Sequence, residues 1–284
     1  MKAVVLNGKE LSKRLEEELK EKVAKLKEIS GKTATLATII VGGDPASQTY
    51  VRMKGNACAR IGVESLKIEL DYNTTTDELL GVIKDLNNDE NIDGILLQHP
   101  VPRHIDERKC FNSILPSKDV DGVTSAGFGA MSMGEEAYVS ATPYGIMKIL
   151  ENYNIEIEGK EAIVIGRSAI LGKPMAMMLL NKNATVTIAH SRTKNLEELV
   201  KKSDIVVACV GKPKFVKKEW LKPGCVVIDA GYNPGNIGDV DQDEIENIAS
   251  AYTPVPGGVG PMTIVSLMSQ TVTSFEKRVN KNSK

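Results

Sequence analysis

Apolar residues recur every three to four positions at Leu11, Leu15, Leu19, Val23, Leu26 and Ile29, which predicts an amphipathic helix over about 9–29. Gly31 stops it. The stretch 33–41 (TATLATIIV) that follows does not alternate and reads as a strand buried on both faces. A Gly42-Gly43-Asp44-Pro45 turn then opens a second helix reaching about Ile61, and 65–70 forms a second strand. Thr75-x-x-Glu78 is a capping box for a helix to about Leu86, and 93–98 is a third strand ending in His99-Pro100-Val101-Pro102. Between Leu115 and Gly145 the pattern fades, so a domain crossing is expected there.

Beyond it a clearer rhythm begins. Strands are expected at 161–165, 185–189, 204–210 and 225–230, with helices at 174–181 and 196–201 between them. Short apolar runs separated by helices imply a parallel sheet covered on both faces. A last helix at about 263–279 follows the segment PVPGGVGPMT and is expected to pack back on the first half, because the second sheet is already complete. The expected fold is α/β in two domains: residues 1–139, completed by 263–284, and a Rossmann-type parallel-sheet domain at 140–262.

A length of 284 residues suits two domains of common size. Aromatic residues make up only 4%, so the core must rest on aliphatic side chains. The net charge of −1 argues against a surface built for nucleic acid and leaves small anionic ligands open. Cys58, Cys110, Cys209 and Cys225 have no CxxC spacing, and His99, His104 and His190 are scattered, so reduced thiols and no metal site are expected. The N-terminal apolar run is too short for a signal peptide, and no 18-residue apolar stretch occurs; a cytoplasmic chain without membrane contact is the expectation.

Chemistry enters at a few places. The turn after the strand at 161–165 is Gly166-Arg167-Ser168-Ala169-Ile170-Leu171-Gly172-Lys173-Pro174. It is not GxGxxG, but glycine at a strand end ahead of a helix is where dinucleotide phosphates meet free N–H groups. The next strand ends in His190-Ser191-Arg192-Thr193, without the carboxylate that holds ribose hydroxyls in NAD sites. One cation and two hydroxyls there suit a 2′-phosphate, with Arg167 able to add a second contact, so NADP is expected.

In the first half, Tyr50 and Lys54 are i, i+4 on one helix face. Such a pair also fits a solvated surface. Two features favour chemistry: the helix N-terminus is expected to disfavour charge on the lysine, and the strand at 93–98 delivers a neutral amide, Gln98. A lysine so placed titrates low enough for acid–base work. Pro116-Ser117-Lys118-Asp119-Val120-Asp121-Gly122 supplies two carboxylates that spacing alone would leave as exposed turn residues.

In order along the chain, YVRMK at 50–54, Gln98 with Pro100, PSKDVDG at 116–122, TPYG at 142–145, GRSAILGKP at 166–174, HSRT at 190–193 and PGGVGPMT at 256–263 resemble the bifunctional methylenetetrahydrofolate dehydrogenase/methenyltetrahydrofolate cyclohydrolase family. Singly each motif is common; the ordered set is specific and spans nearly the whole chain. The resemblance implies an N-terminal catalytic, folate-binding domain and a C-terminal NADP-binding domain. It makes Lys54 the central acid–base residue, Tyr50 the group that stacks on or orients the folate, Gln98 the tuner of Lys54, and Asp121 the anchor of the pterin edge. Pro100, Gly260 and Pro261 would line the folate site. Gly166, Arg167, Ser168, Ser191 and Arg192 would hold NADP, with Tyr232 touching it through its backbone. It further implies oxidation of the methylene group by NADP+, hydrolysis to 10-formyltetrahydrofolate, and a homodimer paired through the Rossmann domains.

The chain departs from the family pattern at His99, where leucine is common, at Ala141, where cysteine is usual, and in YNPGNIGDVD after Gly231. Three other readings are weighed. A short-chain dehydrogenase also has YxxxK, but inside its nucleotide domain and not over 100 residues ahead of the glycine turn. A shikimate-type dehydrogenase shares the domain order but would not require PGGVGPMT or the Gln98/Asp121 pair. A non-catalytic nucleotide-binding protein would have no need of Lys54, Gln98 and Asp121 together. The chain has no GxxxxGK[ST], so an ATP-using formyltetrahydrofolate synthetase is not expected.

Overall fold

Helices and parallel strands make up the computed structural model, which describes residues 2–282. The first half runs β1 (Val4–Val5), α1 (Gly8–Ser30), β2 (Thr35–Val41), α2 (Pro45–Ile61), β3 (Glu64–Leu70), α3 (Thr76–Asn88), β4 (Gly94–Leu97), α4 (Glu107–Ser113) and α5 (Ser125–Ser132). The second runs α6 (Ala141–Asn152), β5 (Glu161–Ile165), α7 (Gly172–Leu180), β6 (Thr185–Ala189), α8 (Leu196–Lys202), β7 (Ile205–Ala208), β8 (Val226–Asp229), β9 (Ala251–Tyr252) and α9 (Val259–Asn282).

Two units emerge. The first comprises residues 14–131, 135–141 and 264–282. Its sheet is parallel, in the order β3-β2-β4, and β2 is buried at all seven positions, as its unbroken apolar run requires. The Thr75/Glu78 capping box is present, with Thr75 Oγ accepting from the Glu78 N–H at 3.3 Å and Glu78 accepting from the Thr75 N–H at 2.8 Å. α9 buries Leu267, Met268, Val272, Phe275 and Val279 against Val23 and Leu26 of α1 and Ile61 of α2. The last helix therefore returns to the first half of the chain, as its apolar face implies.

The second unit comprises residues 2–13, 132–134 and 142–263. Its sheet is parallel in the order β1-β9-β8-β7-β5-β6. β5 is followed on one side by β6 and on the other by β7, which makes the carboxyl ends of β5 and β7 the switch point where open α/β sheets bind ligands.

The two units differ from the expected 1–139 and 140–262 at the N-terminus. β1 pairs with β9, so residues 2–13 go with the six-stranded sheet. The last helix also starts four residues earlier than expected, at Val259, and takes in Gly260 and Pro261. Proline fits there because the first-turn N–H groups of a helix have no intrahelical acceptor. α4 and α5 lie in or beside the stretch where the pattern faded. One has seven residues, and the other, SAGFGAMS, is glycine-rich, so neither shows a helical period.

Candidate active site

Asp44 caps α2 by accepting from the Ser47 N–H at 2.7 Å, and Pro45 opens the helix. Tyr50 and Lys54 then stand one turn apart; Tyr50 is 38% exposed and Lys54 half-buried. The sheet brings in the third residue. The Gln98 N–H donates to the Ile39 carbonyl at 2.8 Å, extending the β2–β4 pairing by one bond and fixing where the side chain emerges. Lys54 Nζ donates to Gln98 Oε1 at 3.0 Å, and Gln98 Nε2 donates to the His99 carbonyl at 2.7 Å. The amide thus offers the lysine an acceptor that carries no charge.

The two aspartates of the 116–122 segment do different work. Asp119 is buried and accepts from the N–H groups of Val123 (3.0 Å) and Thr124 (2.9 Å), so it shapes the turn. Gly122 makes the turn possible: its φ is +65°, and a Cβ there would lie 2.1 Å from the Val139 carbonyl carbon. Asp121 is left half-buried and close enough for its charge to act on Lys54. Burial holds the Lys54 ammonium below the usual lysine range, against the opposing charge of Asp121. Burial likewise pushes the Asp121 carboxyl up to about 6, with Lys54 pulling the other way and Asp119 adding to the rise.

The physical cause for Lys54 corrects the sequence reading. The lysine sits two and a half turns into α2, roughly 14 Å from its first residue, and the field of a helix end fades within a turn. Desolvation, not the helix N-terminus, lowers it.

Sequence reasoning missed Gln270. Buried on α9, it donates to the carbonyls of Val120 and Val139, each at 2.8 Å, and accepts from the Val139 N–H at 2.8 Å. It therefore ties down the backbone immediately before Asp121. A lone amide between Leu267, Met268, Thr271 and Val272 was the available signal: a polar side chain on a buried helix face needs partners.

In the other unit, Gly166 ends β5 with φ +139°, and a Cβ there would lie 2.4 Å from the Cys209 carbonyl oxygen. Only glycine lets the β5 turn close over the end of β7. Gly172 in turn packs on Gly166, and Ser168 Oγ accepts from the Gly172 N–H at 3.2 Å. Arg167 and Ser168 are exposed, as are Ser191 and Arg192 at the end of β6. The β6 turn is held by Thr193 Oγ accepting from the His190 N–H (2.9 Å) and by His190 Nδ1 accepting from the Arg192 N–H (3.2 Å). Tyr232 is exposed, and its hydroxyl donates to Asn236 at 3.0 Å. Gly260 is exposed with nothing near its Cβ position, and Pro261 is partly covered.

Within the first unit, then, the structure joins Lys54 to Gln98 and brings Asp121 within electrostatic reach, with Tyr50 on the same helix face and Pro100 exposed just past Gln98. The dinucleotide turn and the acid-free β6 end both lie at carboxyl ends of strands in the second unit. A desolvated lysine bonded to a neutral amide on one α/β unit, and a parallel sheet with a glycine turn at its switch point on the other, fit a two-domain nicotinamide-dependent oxidoreductase.

Comparison with known proteins gives the family. The model for the tetrahydrofolate dehydrogenase/cyclohydrolase catalytic domain matches residues 6–121, and that for the NAD(P)-binding domain of the same enzymes matches residues 140–279. The chain is 63% identical to a bifunctional protein FolD of Cellvibrio japonicus, over 98% of this chain and all of that one. It is similar to the crystal structure of the bifunctional methylenetetrahydrofolate dehydrogenase/cyclohydrolase of Campylobacter jejuni, with a TM-score of 0.95, 44% identity and coverage of 97% and 99%. It is also similar to the Trypanosoma brucei enzyme complexed with NADP and an inhibitor, with a TM-score of 0.94, 37% identity and 98% coverage of both chains. The chain belongs to the tetrahydrofolate dehydrogenase/cyclohydrolase family.

Proposed function

We propose that Lys54 is the acid–base centre of both reactions of this enzyme. The chain oxidises 5,10-methylenetetrahydrofolate to 5,10-methenyltetrahydrofolate with NADP+, then hydrolyses that product to 10-formyltetrahydrofolate. The observation that carries the role of Lys54 is its burial, which lowers its affinity for a proton, with a neutral amide and not a carboxylate as its bonded partner.

The methenyl intermediate is a cation. A neutral lysine beside it avoids charge repulsion and can accept a proton from the attacking water, so that the ring opens at the methenyl carbon. Gln98 orients the lysine, Asp121 accepts from the amino-pyrimidine edge of the pterin, and Tyr50 stacks on or orients the folate. Pro100 lines the folate site. Bound NADP supplies hydride acceptance; Gly166, Arg167, Ser168, Ser191 and Arg192 hold its phosphates, and Tyr232 touches it through its backbone. The exposed hydroxyls and cations at the β5 and β6 ends support that fit. The domain roles follow the same division, folate on the three-stranded unit and cofactor on the six-stranded one.

The protein acts as a cytoplasmic homodimer paired through its Rossmann units. Exposed Ile188 and Leu180, on and near the edge strand β6, and four unpaired cysteines support this reading. Among the described residues no helix is long and apolar enough to cross a membrane. The test of function is one assay: purified protein given methylenetetrahydrofolate with NADP+ or with NAD+. Folate-dependent reduction of NADP+, faster than of NAD+, is expected; no folate-dependent change with either would refute the reading.

Arg192 gives a second test. A hydrogen bond to a charged group contributes about 1.5–3 kcal/mol, so Arg192→Ala should weaken NADP binding by roughly 10- to 150-fold and leave NAD binding nearly unchanged. Calorimetric titration with both cofactors measures this. An equal loss for both would remove Arg192 from the 2′-phosphate.

A further inference from the structure

The Gln98 amide is held from behind by a second set of contacts. Its Nε2 donates to the His99 carbonyl at 2.7 Å, so the direction of that carbonyl decides which end of the amide faces Lys54. The His99 carbonyl belongs to the short segment 99–101. Glu107, the first residue of α4, reaches back to it: Oε1 is 2.7 Å from His99 Nδ1 and accepts from the Val101 N–H at 3.2 Å. One carboxylate oxygen thus binds the segment on both sides of Pro100.

The base of that contact is itself fixed. Asp106 caps α4 by accepting from the Lys109 N–H at 3.0 Å, and its own N–H donates to Thr76 Oγ at 3.0 Å. The neighbouring Arg108 is turned away, with Nη1 donating to the Val123 carbonyl at 2.6 Å and its guanidinium over the Phe111 ring.

We infer that Glu107 is a positioning residue for Lys54: by binding His99 and Val101 it fixes the His99 carbonyl, which orients the Gln98 amide with its oxygen toward the lysine. The inference rests on the assignment of Lys54 as the acid–base centre. No contact of Glu107 with the reacting groups is required. The contact to His99 also persists across the titration of the ring, because Nδ1–H donates to the carboxylate in both the imidazolium and one neutral tautomer.

Charges facing this cluster come from every element around it. Lys54 on α2 and Asp121 ahead of α5 act on one another; His99 is acted on by Glu107 and Asp121, and Glu107 by His99 and Arg108. The Glu107 bond raises His99 above the ordinary histidine range, against the effect of burial. Burial works against the Glu107 carboxylate, but the bonds from His99 and Val101, together with the charges of His99 and Arg108, outweigh it and hold it below its ordinary range.

The test compares Glu107→Leu, which removes the acceptor, with Glu107→Gln, which keeps an acceptor oxygen and removes the charge. Methenyltetrahydrofolate hydrolysis is followed as kcat and KM over pH, and NADP affinity and the melting temperature report integrity. The leucine variant should lose about tenfold in kcat with KM changed less than threefold. Its acid limb should move to lower pH, because losing the Nζ–H···Oε1 bond removes a contact that favours the charged lysine. The glutamine variant should recover at least half of the wild-type kcat. His99→Ala, which cuts one arm only, should give an intermediate loss and serves if the leucine variant does not fold.

Wild-type kcat in both the leucine and alanine variants would overturn the inference. Equal losses in leucine and glutamine variants would also overturn it, since charge and not position would then be at work. Failure of the underlying reading would look different: Lys54→Met would hydrolyse the substrate normally.

Discussion

Lys54→Met will lose cyclohydrolase activity by about 10²- to 10⁴-fold, the usual contribution of a positioned acid or base, while NADP binding stays within about twofold of wild type. Methionine keeps the length of the side chain and its packing but has no proton to move. The residues proposed to hold the cofactor lie on the six-stranded unit and Lys54 on the three-stranded one, so the substitution removes no proposed cofactor contact. Stopped-flow hydrolysis of methenyltetrahydrofolate and a cofactor titration check the two halves. Normal hydrolysis by the variant would show that another group activates water.

Arg278→Ala will destabilise the three-stranded unit by roughly 3–5 kcal/mol, the cost of leaving a buried charge without its partner. Arg278 on α9 donates from Nε to Asp93 Oδ1 at 2.7 Å and from Nη2 to Asp93 Oδ2 at 2.9 Å and the Thr33 carbonyl at 3.1 Å. Asp93 is 2% exposed and also accepts from the Thr35 N–H at 2.9 Å, so this pair bolts the last helix to the start of β2. Burial already pushes the Asp93 carboxyl above its usual range, with Arg278 foremost among the groups opposing it. Lysine would restore charge without the two-pronged fit, so Arg278→Lys should recover only part of the loss. Urea unfolding measures both variants. A loss below about 1 kcal/mol for alanine would place the pair among surface contacts of little consequence.

Much of this was readable in the chain. The unbroken run at 35–41 could only be a strand buried on both faces, and the Thr75/Glu78 box announced its helix. The Rossmann pattern was plain because β5, β6 and β7 are short apolar runs separated by helices. What escaped had physical reasons. β1 and β9 have two residues each, too few to show a period, and only their pairing places residues 2–13 with the second sheet. Gly260 and Pro261 read as loop, although a first helical turn tolerates both.

The site divided in the same way. The Tyr50/Lys54 spacing and Gln98 at a strand end were visible, but the reason Lys54 sheds its proton was not. Burial belongs to the tertiary structure, and a helix pattern alone pointed to the wrong electrostatic cause. Asp119 and Asp121 were likewise indistinguishable by spacing. The fold uses one to build the turn and leaves the other beside the lysine. Gln270 acts across 150 residues of sequence, which no local motif encodes, and Glu107 reaches back only eight residues but over an irregular segment with no periodic pattern.

The pH dependence of kcat/KM for methenyltetrahydrofolate hydrolysis, with the uncatalysed rate subtracted, tests the Lys54–Asp121 site most directly. Asp121 is ionised only above about 6, and Lys54 loses its proton below the usual lysine value. Both the carboxylate and the neutral amine are needed, and the two titrate as a coupled pair. Activity should therefore fall as the pH drops through about 6, and its rise with pH should be complete below the usual lysine value. Activity that appears only as the pH rises through about 10.4, the value of an exposed lysine, would contradict the account.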